Sequence, residues 1–430
     1  MQRFRILLLA CFLFPALLIS CRKEKDAPPV IDIRYPLENQ QFSALDTIPV
    51  EGRVTDDKKV ISLSVRLIDQ EQIAVSESMS LSIEAASADF NLLYPINNIH
   101  LESGSYYLRF TASDEKNRKN ESVMINIGAI QREVTAVYII SDLQNQVEVY
   151  KSDTSGQFTY QFGCPGIYRD ACISSYHRQI YLLTGDGCLY SYNLQDNTLA
   201  WQKTGLDNIS YQYIGNLLEA DNLVWVGHGT GRISAYDNYG YKKRGANLGD
   251  STLQPSAICA HGNSLIVEEV SVSGQGSGIG EIVRSTGIET EWQAFVPDAA
   301  CMFSLDDDKV ILWCNSINSV YVCTLSVEYN MIHQVHGFPE ELIYSAVQLT
   351  PDLYLACIGE HIYSYNALTN SLVIYKEFMQ AQKMVYEDLY SRVLILSGEN
   401  LFVMNYPDGA VSQEYVHSSV IKDLVVLYNK

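Results

Sequence analysis

The stretch QIYLLTGDGCLYSYN (179–193) decides the fold of this chain of 430 residues. Two short runs of aliphatic and aromatic residues flank a Gly-rich turn, which is the pattern of two antiparallel strands joined by a tight connection. The first run is too short for a helix with a buried face, and its Tyr and Ile residues favour strands. The stretch therefore predicts a β-hairpin with a buried first strand.

Similar hairpins recur along the chain at intervals of 40 to 45 residues. A repeat of this length that is made only of strands is typical of a β-propeller, in which each repeat forms one sheet of a ring. The first strands of the seven hairpins read AVYII (136–140), QIYLL (179–183), LVWVG (223–227), SLIVE (264–268), KVILW (309–313), LYLAC (353–357) and RVLIL (392–396).

The first repeat lacks the additional strand that precedes each later hairpin. A matching run, VIKDLVVLY (420–428), stands at the far end of the chain. We expect this run to pair beside the first hairpin, because that pairing closes the ring and removes an exposed sheet edge. The sequence thus predicts an all-β protein with a seven-bladed propeller over residues 131–430.

The clearest full unit, GDGCLYSYNLQDNTLAWQKTG (185–205), resembles the repeat of PQQ-type, or quinoprotein-like, propellers. GEHIYSYNALTNSLVIYKEF (359–378) is a weaker match, and the other repeats have diverged. The quinone enzymes of this type carry adjacent cysteines, and this chain has no Cys-Cys pair. The resemblance therefore implies the fold and no bound cofactor.

Residues 30–130 alternate between apolar and polar side chains in short segments that are separated by turn residues. About seven short strands in this length predict a β-sandwich, with turns at Asp56-Asp57, Ser103-Gly104 and Asp114 to Asn120. The segment resembles bacterial Ig-like modules, which usually act as spacers. We interpret it as an Ig-like domain that precedes the propeller.

The first 21 residues read as an export signal: two arginines, an apolar run too short to span a bilayer, and LISC (18–21). LISC resembles a bacterial lipobox, which implies cleavage before Cys21 and lipidation of its thiol. An ordinary signal peptide cut elsewhere is the alternative. Residues 22–29 then form a tether, and RKEKD (22–26) is similar to Bacteroidetes-type lipoproteins. We expect an outer-membrane lipoprotein that faces the periplasm or the cell surface.

The formal charge of -20 argues against a nucleic-acid partner, since phosphate binding requires a basic surface. No C-x-x-C pair is present, so neither a zinc site nor a redox pair is indicated. Cys172, Cys259 and Cys301 occupy similar repeat positions and are predicted to be buried thiols. Cys164 and Cys172 could pair across a loop, and the sequence alone does not decide whether they do.

Propellers bind ligands at the mouth of the central channel, and the turns between the second and third strands of the repeats should lie there. Polar side chains in these turns could bind a cation or a polyol, or could simply face water. The candidates are Asp142, Asp186, His228, Glu269, Asn315, Glu360, His361 and Glu399. Tyr168, Arg169 and Tyr344, in segments between repeats, could shape the same surface or seal the blades. The Gly-rich segment 274–280 is predicted to be a flexible lip.

Common hydrolase and nucleotide-binding motifs are absent from the sequence. We therefore expect a lipid-anchored binding or scaffold protein that presents its propeller to a protein or a glycan. The alternative is a glycan-active enzyme, or a sensor of extracellular sugars, that uses the acidic rim.

Overall fold

A computed structural model describes residues 27–152, 156–206, 217–250, 252–271, 277–317, 319–339, 341–378 and 380–430. These residues form strands and turns and no helix, which confirms the all-β prediction. The predicted export signal, Cys21 and residues 22–26 of the tether lie outside the described part. Contacts divide the chain into two compact units between Gln131 and Arg132, one residue beyond the predicted boundary.

Unit 1 is a six-stranded sheet around one apolar core that includes Ile48, Leu63 and Phe110. The strands are β1 (Val30–Tyr35), β2 (Gln40–Ser43), β3 (Thr47–Ile68), β4 (Met79–Pro95), β5 (Gly104–Ser113) and β6 (Arg118–Gly128). Their order in the sheet is β1-β3-β5-β6-β2, and β4 pairs with β3.

The predicted turn at Asp56-Asp57 is wrong, and unit 1 accordingly has six strands where about seven were expected. The strand β3 runs straight through this pair, with a register shift against β4 between Thr55 and Val60. The Asp56 carboxylate accepts the backbone N–H groups of Lys58 and Lys59 at 2.8 and 2.9 Å. An aspartate that accepts the N–H groups two and three residues further along the chain supports a bulge here instead of a turn.

Unit 2 consists of seven four-stranded antiparallel sheets. Sheet 1 contains β34 (Ile421–Tyr428), β7 (Val134–Leu143), β8 (Gln146–Ser152) and β9 (Phe158–Pro165). Sheet 2 contains β10 (Tyr168–Ser174), β11 (Gln179–Thr184), β12 (Leu189–Asn193) and β13 (Thr198–Lys203). Sheet 3 contains β14 (Leu217–Ala220), β15 (Leu223–His228), β16 (Arg232–Tyr236) and β17 (Lys242–Asn247).

The remaining four sheets follow in chain order. Sheet 4 contains β18 (Leu253–His261), β19 (Ser264–Ser271), β20 (Ser277–Val283) and β21 (Ile288–Ala294). Sheet 5 contains β22 (Asp298–Ser304), β23 (Lys309–Ser316), β24 (Ser319–Ser326) and β25 (Met331–Pro339). Sheet 6 contains β26 (Ile343–Thr350), β27 (Leu353–Ile358), β28 (His361–Asn366) and β29 (Ser371–Glu377), and sheet 7 contains β30 (Lys383–Glu387), β31 (Arg392–Ser397), β32 (Asn400–Asn405) and β33 (Val411–Val416).

The first strand of each sheet, which we call the inner strand, contacts the inner strands of the two neighbouring sheets. The contacts run from β34 to β10, β14, β18, β22, β26, β30 and back to β34, so the cycle is closed. The C-terminal strand β34 pairs with β7, from Ile421 opposite Ser141 to Tyr428 opposite Val134. The tail of the chain thus lies beside the first hairpin of the repeat, as the sequence predicted.

Seven apolar clusters fill the seven interfaces between adjacent sheets. Tyr181 and Leu183 of sheet 2, for example, pack with Val224 and Val226 of sheet 3. Alternate residues of a strand face opposite sides of a sheet. The central strands therefore carry nearly continuous apolar runs, because both of their faces are buried, which is the pattern that made the repeat visible in the sequence.

The structure of this unit bears on two further points of the sequence analysis. Cys164 and Cys172 are both free thiols, so the open possibility of a disulfide between them is not realised. The described part of the segment 274–280 is not a flexible lip, because Gly278 and Gly280 belong to β20; residues 274–276 lie outside the described ranges. A Cβ on Gly278 would lie 2.3 Å from Trp292, so this glycine makes room for a side chain.

Candidate functional site

The turns between second and third strands lie at the end of the ring where the inner strands begin, since Tyr168 at the start of β10 pairs with Thr184 at the end of β11. Two of the predicted rim residues hold neighbouring sheets together there. Asp142 accepts the backbone N–H of Tyr168 at 3.1 Å. Asn315 accepts the N–H of Ile343 at 3.0 Å and donates to its carbonyl at 3.3 Å. Both side chains therefore connect one sheet to the inner strand of the next.

Four other predicted residues remain at the surface or near it. Asp186, Glu360 and Glu399 are exposed turn residues. Asp186 accepts the Thr184 hydroxyl at 2.6 Å within its own turn. The ring of His361 lies 6.0 Å from that of Tyr363. Within the described ranges, no hydrogen bond or ion pair joins any two of the eight predicted side chains, so the structure does not gather them into one constellation.

His228 and Glu269 lie deeper than the sequence analysis expected. Burial, helped by the charges of Lys242 and Arg232, lowers the pKa of His228 to about 4, so its imidazole is neutral. Glu269 is fully buried because β19 continues to Ser271, which makes the turn begin later than the pattern suggested. Burial, and then the charge of Glu289, raises the pKa of Glu269 to about 8.

Glu269→Gln is expected to stabilise the ring at alkaline pH and to leave it unchanged at pH 4. Neither carboxyl oxygen of Glu269 meets a donor in hydrogen-bond geometry among the described residues. The unfolded carboxyl titrates near about 4.3, so the folded state alone holds the proton from there to about 8. Stability therefore falls as the pH rises through that interval. We expect the variant to gain up to about 5 kcal/mol at pH 8.5, measured by urea unfolding, since one pKa unit corresponds to about 1.4 kcal/mol.

Glu360→Gln is the control for this measurement, because it makes the same chemical change at an exposed turn. This control substitution should change the free energy of unfolding by less than about 0.5 kcal/mol at either pH. Equal stability of the Glu269→Gln variant and the unaltered chain at pH 8.5 would show that Glu269 is charged and paired in the folded ring.

A channel of about 600 Å³ opens among the inner strands of sheets 4 to 7. Its wall is apolar in its middle part, with Ile258, Met302, Phe303 and Met384, and polar at the end where the inner strands begin. Lys383, the first residue of β30, lies at that end. We call this end of the ring the mouth.

Lys383 and Asp423 form an ion pair between the inner strands of sheets 7 and 1. The Lys383 Nζ lies 3.1 Å from the Asp423 carboxylate, which also accepts the Tyr168 hydroxyl of sheet 2. The Asp423 side chain is only 4% exposed, whereas Lys383 retains 40% because it faces the channel. The charge of Asp423 raises the pKa of Lys383, so the ammonium stays charged. Three consecutive sheets are thus tied together at the place where the ring closes.

Asp170 lies in the same cluster and is held by backbone donors. Its two carboxylate oxygens accept the N–H groups of Leu217, on the inner strand of sheet 3, and Ala171 at 2.6 and 2.8 Å. Burial raises the pKa of Asp170 to about 6, although the charge of Lys383 opposes that shift. Both oxygens are therefore occupied, and the carboxylate serves the junction between sheets 2 and 3.

The inner strands carry bulges where they enter the mouth. Register shifts against the second strand leave one extra residue in five sheets: Lys422, Arg169, Ser256, Ala300 and Tyr344 in sheets 1, 2, 4, 5 and 6. In sheet 7, Gln382 donates its N–H to the carbonyl of Leu396, with which Lys383 also pairs. A bulge re-aims a side chain out of the regular alternation, and all of these residues except half-buried Ser256 are exposed.

Sequence reasoning missed the cluster of Asp170, Lys383 and Asp423. Each of these residues occupies an inner strand, whereas the sequence analysis took its candidates from turns and from segments between repeats. The available signal was a charged residue near the start of an otherwise apolar strand, as in VIKDLVVLY (420–428). The linker residues Arg169 and Tyr344 were noted, and the structure places both at the mouth, whereas Tyr168 helps to seal adjacent sheets.

No group of three His, Cys, Asp or Glu side chains in the described ranges is arranged to hold a metal ion. In the same part of the chain, no helix is long and apolar enough to cross a membrane.

The closed cycle of seven sheets around a channel defines the protein as a β-propeller. No family model matches the sequence, and the comparison with curated proteins found no match. Similar solved structures include the WD40 β-propeller domain of Doa1, with a TM-score of 0.47, 11% identity, and coverage of 69% of this chain and 93% of that one. Sqt1 of Saccharomyces cerevisiae has a TM-score of 0.49 and 12% identity, and the match covers 68% of this chain and 85% of that one. The assignment to the propeller class rests on the sheet topology described above.

Proposed function

We propose that this chain is a non-enzymatic binding protein of the bacterial cell envelope. In this proposal a lipid on Cys21 anchors it to the outer membrane, and unit 1 is an Ig-like spacer. Unit 2 is a seven-bladed propeller of the PQQ type that binds a protein or a glycan at its mouth. The anchor and the module types rest on the sequence resemblances given above.

The observation that carries the proposal is the open channel of about 600 Å³, whose mouth presents exposed side chains that the fold does not use. Concave sites of this size, apolar inside with a few polar groups at the edge, are the usual form of ligand sites. Tyr344 lines this channel and is 37% exposed, although an aromatic ring of its size gains by burial. The exposed ring of Tyr344 in the channel wall is therefore available to a ligand.

The nearby carboxylates favour binding over catalysis. A general acid or base must reach the substrate with a free oxygen. Asp423 is engaged by Lys383 and Tyr168, and Asp170 accepts two backbone N–H groups. These contacts support a binding role, and the glycan-active enzyme of the sequence analysis becomes the competing outcome of the test.

The test uses the whole chain purified in detergent. In one arm, neutral and acidic oligosaccharides are titrated by calorimetry, and the mixtures are analysed for cleavage products. In the other arm, a photo-crosslinking residue replaces Tyr344 in the source organism. Tyr241, which is 67% exposed and precedes the outer strand of sheet 3, provides the matched control position.

We expect saturable binding or a specific crosslink that depends on position 344 and not on position 241, without turnover. Release of products would establish the enzyme alternative. The absence of both binding and crosslinks at the mouth would overturn the proposal.

A further inference from the structure

We infer that the mouth selects an anionic glycan, specifically an oligosaccharide that carries carboxylates, which lies across sheets 6, 7, 1 and 2. The inference rests on the proposed binding function and assigns its ligand class. The side chains that would contact the ligand are those of Tyr344, Gln382, Lys422 and Arg169, one from each sheet.

Three of these four residues are bulge residues, and Gln382 directly precedes the inner strand of sheet 7. The order around the ring is sheet 6, sheet 7, sheet 1 and sheet 2, since β26 contacts β30, β30 contacts β34, and β34 contacts β10. All four are exposed, and Tyr344 and Gln382 also line the channel. They therefore form a continuous path around about half of the mouth, with an aromatic ring at one end and two cations at the other. Ser256 and Ala300, on sheets 4 and 5, offer only small side chains on the opposite side.

Arg169 and Lys422 stand on adjacent inner strands, which their neighbours in the chain hold together. Arg169 follows Tyr168, Lys422 precedes Asp423, and the Tyr168 hydroxyl donates to the Asp423 carboxylate. This hydrogen bond fixes the two inner strands side by side at the level of the bulges. Two positive charges consequently stand on adjacent strands at the mouth.

Neither cation has an ion pair within the described ranges. The chain contains 50 acidic and 30 basic residues, so acidic partners are abundant. The carboxylates that adjoin the two cations in the chain, Asp170 and Asp423, are bonded to backbone N–H groups, Tyr168 and Lys383, as described above. Two adjacent unpaired cations in such an acidic protein raise the local positive potential, which attracts an anion and speeds its encounter. The guanidinium of Arg169 matches the two oxygens of a carboxylate, and Lys422 adds a point charge.

The aromatic end of the path favours a sugar over an acidic peptide. A tyrosine presents an apolar face with a polar tip, which suits the C–H face and the hydroxyl rim of a sugar ring. Gln382 accepts the N–H of Gly398 with its side-chain oxygen, so its amide N–H₂ group is directed elsewhere and can donate to a hydroxyl. A peptide would instead use main-chain pairing with a sheet edge or pockets for alternate side chains. Along the path, Tyr344 thus suits a sugar ring, Gln382 a hydroxyl, and the two cations the carboxylates.

The experiment measures binding of an oligomer of galacturonic acid to the whole chain by calorimetry. The matched neutral ligand is the same oligomer with methyl-esterified carboxylates, and oligoglutamate represents acidic peptides. The test variant is Arg169→Gln/Lys422→Gln. The charge-matched control is Lys203→Gln/Lys242→Gln, which changes two cations on the outer strands of sheets 2 and 3.

We expect the acidic oligomer to bind at least about tenfold more tightly than its ester, and the test variant to lose about tenfold in affinity. The control should stay within about twofold, and binding should weaken between low and high salt. Both variants change exposed or half-exposed side chains, so their urea midpoints should match that of the unaltered chain.

The outcomes separate this inference from the proposed function. Equal binding of the ester, with a dependence on Tyr344, would overturn anion selection and leave the binding function intact. Equal binding of oligoglutamate would overturn the assignment to a glycan. If every probe failed to bind and no crosslink formed at position 344, both the anionic-glycan inference and the proposed binding function would be overturned.

Discussion

Truncation of the chain after Val420 is expected to abolish the cooperative unfolding of the ring. The lost segment contains β34, which supplies the inner strand of sheet 1 and five buried aliphatic side chains, Ile421, Leu424, Val425, Val426 and Leu427. Burial of such a side chain stabilises by about 1.5–3 kcal/mol. The sum is comparable to the total stability of a typical domain, about 5–15 kcal/mol. The truncated ring should therefore be unfolded or molten at 25 °C.

Tryptophan fluorescence during urea unfolding measures this effect, because all four tryptophans of the chain lie in unit 2. A synthetic peptide covering residues 417–430 provides the control: added in excess it should restore the transition, whereas a scrambled peptide should not. A truncated chain that unfolds at the same urea concentration as the intact chain would mean that sheet 1 does not need its fourth strand.

Asp423→Ala should destabilise the ring by about 2–3 kcal/mol. The substitution leaves Lys383 without its 3.1 Å counterion and removes the acceptor of the Tyr168 hydroxyl. The partial exposure of Lys383 to the channel moderates the cost, since water can reach the ammonium. The double variant Asp423→Ala/Lys383→Met should be more stable than Asp423→Ala alone, because no ammonium is left without its counterion and Asp170 keeps its two backbone donors.

A double-mutant cycle with these variants isolates the energy of the pair. Asp186→Ala is the control, since this carboxylate is exposed in a turn and should change stability by less than about 0.5 kcal/mol. Additive effects of the two single changes would show that the ion pair contributes nothing to the closure of the ring.

The repeat could be predicted from the sequence because the same physical requirement acts seven times. Each central strand has two buried faces, so runs such as KVILW (309–313) stay apolar in every repeat. The pairing of the last strand with the first hairpin was predictable for a related reason. The first repeat lacked a strand, and an unpaired β7 would expose a long sheet edge.

The composition of the mouth could not be predicted in the same way. Polar residues in turns are selected for several different tasks, and the pattern does not separate them. Asp142 and Asn315 bind backbone groups of the next sheet, Glu269 is buried within sheet 4, and Asp186 faces water. Most of the side chains that do reach the mouth stand at bulges, and a one-residue register shift leaves no mark in the apolar periodicity.

Under the proposed binding function, the bulges also determine how readily this protein can acquire a different specificity. Loops that bind ligands usually change by insertion and deletion, which alters their length and their path. Here one exposed residue in each inner strand of sheets 1, 2, 5 and 6, and Gln382 just before that of sheet 7, projects out of the packed layers. Single substitutions at those positions can exchange charge, size or aromatic character without disturbing the layers beneath. Descendants of this chain can therefore diverge in what they recognise while they retain an unchanged frame.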